Sequence, residues 1–118
     1  MLRLVLAWSV WLAGSSAQAQ AVFQSTGDVE ATVQVIYKGL FAGVTLPKEV
    51  RDSAVRVIRA EHTRQVAIDG RAPGAWDRRI ALNRWRDSTL RVLLRNDADR
   101  KTFNANAERL RPQGRPPQ

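Results

Sequence analysis

The sequence predicts an all-α protein, a long antiparallel helical hairpin flanked by two shorter helices and followed by a disordered C-terminal tail. Three observations carry this. Apolar residues recur at three- and four-residue spacing over successive stretches, the period of one helix face. Those stretches are separated by breakers at Gly43, at Gly70 with Pro73-Gly74, and at Asn96. No Cys is present among the 118 residues, so packing or association has to stabilise the chain without disulfides.

The first helix is expected over residues 29–42. Asp28 suits the N-cap and Glu30 the first turn, where a carboxylate complements the helix dipole. Val29, Val33, Ile36, Tyr37, Leu40 and Phe41 supply its apolar face. Gly39 weakens the pattern, and the β-branched Val33, Val35 and Ile36 make a strand over 32–37 the competing reading. The second helix starts at Leu46-Pro47-Lys48-Glu49, with Pro47 at N1 and Glu49 at N3, and runs to about Asp69, where Gly70 closes it. Val50, Ala54, Val57, Ile58 and Ile68 share one face, with Asp52, Arg56, Arg59 and Thr63 opposite. After a turn over 71–74, a third helix is expected over 75–95. Its apolar residues form two sets, Leu82, Trp85, Val92 and Leu93 on one side and Trp76, Ile80, Leu90 and Leu94 on another. A helix apolar over most of its circumference is buried on more than one side, so Trp76, Ile80, Trp85, Leu90 and Leu94 are expected in the core or in a homodimer interface. A last helix should run from about Asp97 to Arg111, with Phe103, Ala107 and Leu110 inward. Pro112 opens the Pro-rich tail, 112–118. Asp52–Arg56 and Asp87–Arg91 are spaced as i,i+4 ion pairs.

Residues 1–19 read as a secretory signal peptide: Arg3, an apolar run over 4–13, and Ala17-Gln18-Ala19 as the cleavage site. Spanning a bilayer takes about 20 apolar residues, and this run is half that. The expected location is periplasmic or secreted, with residues 20–111 forming a single helical domain. Exported chains normally meet no ATP, and neither a P-loop nor a dinucleotide fingerprint is present. No thiol nucleophile, Cys-based zinc site or two-imidazole site is available to a chain with no Cys and one His. No enzymatic activity and no cofactor is therefore expected.

The formal charge is +8, and beyond the leader 15 of 18 basic side chains are Arg, twelve of them between Arg51 and Arg100. Arg presents a planar fork of donors and stacks on apolar surfaces, which suits adhesive contact with acidic partners. Arg51, Arg56, Arg59, Arg84, Arg91 and Arg95 are the candidate client-binding residues; a solvated helix face is the alternative reading of the same residues. No recognition-helix motif or aromatic platform points to nucleic acid. His62 has no partner at metal-ligand spacing and reads as structural, so no metal is expected. Glu61 and Gln65 interrupt the apolar stripe of the second helix, as Asn83 and Asp87 interrupt that of the third. In an antiparallel pair these residues meet, as a polar layer neutralised by Arg79, Arg84 or Arg86 or, alternatively, as an acid–base pair of Glu61 and Asp87.

The helix start Leu46-Pro47-Lys48-Glu49-Val50, followed by Ile80, Arg86-Asp87-Ser88-Thr89-Leu90-Arg91-Val92-Leu93-Leu94, Asp97, Phe103, Asn106 and Leu110, resembles the Spy/CpxP-like family of periplasmic stress proteins. Leu46-Pro47 stands in place of the Leu-Thr of that family's L-T-x-x-Q motif. The resemblance covers roughly residues 41–112. It implies a curved antiparallel dimer whose basic face holds unfolded clients without ATP. The function expected is thus an ATP-independent, chaperone-like binding protein of the envelope. The alternatives are a metal- or stress-sensing regulator and a structural protein touching anionic lipid or polysaccharide.

Overall fold

The computed structural model describes residues 28–112, which form four α-helices and, among those residues, no strand. Residues 1–27, which include the stretch read as a signal peptide, and residues 113–118, the expected tail, lie outside the described residues. Helix α1 is Val29–Leu40, α2 Lys48–Ala67, α3 Ala75–Arg91 and α4 Asp97–Leu110. No described helix is long and apolar enough to cross a membrane.

Helix α1 forms in spite of its β-branched residues because Val33, Ile36 and Leu40 fall on one face, which is buried. Asp28 caps it as expected, accepting from the amides of Glu30 and Ala31. Gly39, the weak point of the pattern, has a packing reason. A Cβ there would stand 2.8 Å from Leu110 Cδ1, so the missing side chain lets α4 approach α1 closely. Gly43 follows at φ +81°, a left-handed conformation that turns the chain toward α2.

Pro47 sits at the N-cap of α2, one position outside the expected N1, with no side-chain cap bond. The helix ends at Ala67, with Ile68 extended, before Gly70 is reached. In the turn between α2 and α3 the glycine in the left-handed region is Gly74, at φ +78°, immediately before α3. Helix α3 ends at Arg91 and not at Arg95. The amides of Leu93 and Leu94 bond the carbonyls of Leu90 and Arg91, a tightened turn that swings Leu94 into the core. Arg100 Nη2 then takes the Leu94 carbonyl at 3.0 Å, and Asn96 caps α4 through the Asp99 amide at 2.8 Å.

Packing runs α1 on α2, α2 on α3, α3 on α4 and α4 back on α1. The two long helices are therefore two sides of a closed ring of four. Its core combines Val33, Ile36, Leu40, Phe41, Val44, Ala54, Ile58, Leu90, Leu94, Phe103 and Ala107. The ring of Phe41 packs between Tyr37 and Phe103, with centroids 5.0 and 5.2 Å away.

Helix α3 departs most from expectation. Its buried residues are Ala75, Asn83, Arg86, Asp87 and Leu90, so the inward stripe is chiefly polar. Leu90 and Leu94 are core, as expected, and Trp76 and Ile80 are half-buried. Trp85 is 39% exposed and Val92 83% exposed, so neither fills the core. Arg64 instead lies over the Trp85 ring, 5.0 Å from its centroid. Helix α3 is thus not apolar all round: the stripe it turns toward the other helices is chiefly polar.

Candidate binding groove

Two constellations stand out. The first is an open groove of about 600 Å³ between α1 and α2. From α1 it takes Gln34, Tyr37 and Lys38, spaced i, i+3, i+4 and so neighbours on one face. From α2 it takes Arg51, Val55 and Arg59, two helical turns in line, with Asp52 and Arg56 beside them. The opposite faces of the same helices carry Val33, Ile36, Ala54 and Ile58 into the core, which fixes the groove walls.

The groove is strongly basic. Arg59 grips Glu30 of α1 through two bonds, Nε to Oε1 at 2.6 Å and Nη2 to Oε2 at 2.9 Å. This grip holds the Glu30 carboxyl below the usual glutamate range, chiefly through the hydrogen bond itself, with burial opposing and Arg59's charge adding to the pull. It likewise holds Arg59 more firmly protonated. Arg56 does not pair with Asp52; its Nη2 donates to Ser53 Oγ at 3.1 Å. Among the described residues no carboxylate pairs with Arg51, Arg56 or Lys38. Burial pushes the Tyr37 hydroxyl above the usual tyrosine range, with the charge of Arg51 opposing, so Tyr37 is a neutral phenol at pH 7.

Three of the six candidate arginines, Arg51, Arg56 and Arg59, thus come together. Arg84, Arg91 and Arg95 do not line the groove. Arg91 donates to Asn104 Oδ1 at 2.8 Å and lies 6.0 Å from the Phe103 ring centroid, so it ties α3 to α4 and does not pair with Asp87. Arg84 and Arg95 are exposed. Gln34, Tyr37 and Lys38 were missed from the sequence. Tyr37 satisfies the apolar period of α1 and reads as core, although Gln34 and Lys38 on either side of it form a polar edge of that face.

The second constellation is the polar layer between α2 and α3. Arg86 donates from Nη1 to Glu61 at 3.2 Å and from Nε to Asp87 at 3.0 Å. All three side chains are buried. One turn along, Gln65 Nε2 and Asn83 Nδ2 both donate to the Arg79 carbonyl. Glu61 and Asp87 therefore share one cation, which is how a buried carboxylate pair is neutralised. His62 is wholly buried beside them, and among the described residues neither of its ring nitrogens, nor Glu61 Oε2, nor Gln65 Oε1 has a hydrogen-bond partner. No group of three or more His, Asp or Glu able to hold a metal ion occurs among the described residues. None of the polar-layer residues lines the α1/α2 groove.

No family model matches the chain, and no curated protein and no solved structure is significantly similar to it.

Proposed function

We propose that this protein is an exported, ATP-independent, chaperone-like binding protein that holds acidic segments of unfolded polypeptides in the groove between α1 and α2. One observation carries the reading. Arg51, Arg56, Arg59 and Lys38 converge on a single open groove whose floor includes Tyr37 and Val55, so charge and apolar surface lie side by side. Charged groups speed capture of an acidic chain, and limited apolar contact leaves release fast. The leader read in residues 1–19 and the resemblance to Spy/CpxP-like stress proteins point the same way.

The test is light scattering from an acidic client protein undergoing aggregation, with and without the mature protein, at low and high salt. The expected result is suppression near stoichiometric ratio that weakens with salt and is lost in Arg51→Glu/Arg56→Glu. Scattering unchanged at every ratio and salt level overturns the proposal. Co-sedimentation with anionic but not neutral vesicles, without any effect on aggregation, would replace the polypeptide client by a membrane surface.

A further inference from the structure

We infer that the groove reads carboxylates, that its seat at Arg59 is already filled by the chain's own Glu30, and that a ligand binds by displacing Glu30. This rests on the reading of the groove as a site for acidic polypeptide. The Glu30–Arg59 contact supplies the chemistry. Two parallel bonds from Nε and Nη2 to the two oxygens of one carboxylate are the planar, bidentate fit that guanidinium makes with that group. Glu30 thus acts as an internal stand-in for a ligand side chain. Its hold is loose by construction: the side chains of Arg59 and Glu30 are 41% and 57% exposed, and an exposed ion pair is weak and screened by salt. An incoming carboxylate can therefore take its place at little cost.

The remaining cations set the spacing of the ligand. Arg51 and Arg59 stand eight residues apart on one side of α2, about 12 Å along the axis. An extended chain covers that distance in about four residues. Residues i, i+2 and i+4 of such a chain point to one side. Acidic side chains at i and i+4 then meet Arg59 and Arg51, and an apolar side chain at i+2 meets Tyr37 and Val55. The ligand class is an extended acidic segment with carboxylates four apart and an apolar residue midway between them.

Fluorescence anisotropy with two labelled peptides tests this. One carries Glu-x-Leu-x-Glu, and the other has the same composition with the two Glu adjacent. The spaced peptide is expected to bind more tightly to the mature protein. Glu30→Gln should tighten it a further two- to fivefold or so, the size of an exposed ion pair removed from competition. Glu30→Asp keeps the net charge but is one methylene short of Arg59, and it should tighten binding in the same direction. Glu108→Gln removes an exposed carboxylate paired with Arg111 on α4, and serves as the charge control. Equal affinity of Glu30→Gln and Glu108→Gln, with Glu30→Asp like wild type, overturns the inference. If that happens while Arg51→Glu/Arg56→Glu still abolishes binding, the groove remains a client site and only the displacement idea falls. If no variant binds either peptide and aggregation is also unaffected, both fall together.

Discussion

Arg86 reaches two carboxylates at once, Glu61 from the neighbouring helix and Asp87 from its own, while 4% exposed itself. Removing the cation strands both acids in the interior. Arg86→Met should therefore cost about 3–5 kcal/mol of stability in urea unfolding, far more than a neutral hydrogen bond is worth. The existence of this layer was legible in the sequence, because Glu61, Gln65, Asn83 and Asp87 sit where the helical period calls for apolar residues. Which arginine serves it was not. Arg79, Arg84 and Arg86 span about two turns of α3, and the sequence does not fix which of them the packing of α3 on α2 turns toward the acids. Glu30 shows the opposite sensitivity. Its carboxyl is held below the usual range in the fold, so the clasp it makes stabilises α1 against α2 above that range. The contribution is lost as pH falls through the lowered value. Urea midpoints of wild type and Glu30→Gln should accordingly differ at pH 7 and converge in acid, below the ordinary glutamate range.

At the scale of elements, Asn106 of α4 holds the end of α1. Its Nδ2 donates to the carbonyls of Leu40 at 2.9 Å and Ala42 at 2.8 Å, groups that a terminating helix leaves without internal partners. Arg109 donates to Asn106 Oδ1 at 3.0 Å and keeps the amide oriented. Asn106→Ala should cost about 2 kcal/mol, read from the urea midpoint, because the buried Leu40 carbonyl and the part-buried Ala42 carbonyl lose their donor. Three of the helix starts were readable from their caps and flanking glycines, since Asp28, Asn96 and Gly74 act locally. The end of α3 was not. Val92, Leu93 and Leu94 all favour continuing the helix. There the amides of Leu93 and Leu94 close a tightened turn, and Arg100, in the first turn of α4, bonds the Leu94 carbonyl. That is a contact between elements, and no local pattern announces it.

For the whole molecule, the closed ring of helices decides which positive charges act together. The basic excess was plain from composition, but twelve arginines spread from α2 through α3 to the start of α4 give no hint of which share a surface. The fold answers by turning α3's polar stripe inward, so that Arg86 is spent in the interior and Arg91 on α4. The groove is left to α1 and α2, and three of its eight lining residues come from α1, a helix with no arginine at all. A basic site on a basic protein should show its charge in kinetics. The association rate with an acidic peptide should fall steeply between low and physiological salt, with dissociation much less affected.

The clamp of Asn106 on α1 also governs timing. A chain that emerges N-terminus first has Leu40, Phe41 and Ala42 exposed to solvent well before Phe103, Asn106 and Leu110 arrive. Until then Phe41 has Tyr37 on one side but lacks the ring of Phe103 on the other, and the carbonyls of Leu40 and Ala42 lack their donor. Residues 103–110 thus complete the seat of residues 37–44, a closure spanning more than sixty positions. The helix made first is therefore fixed last, once nearly the whole chain has been made.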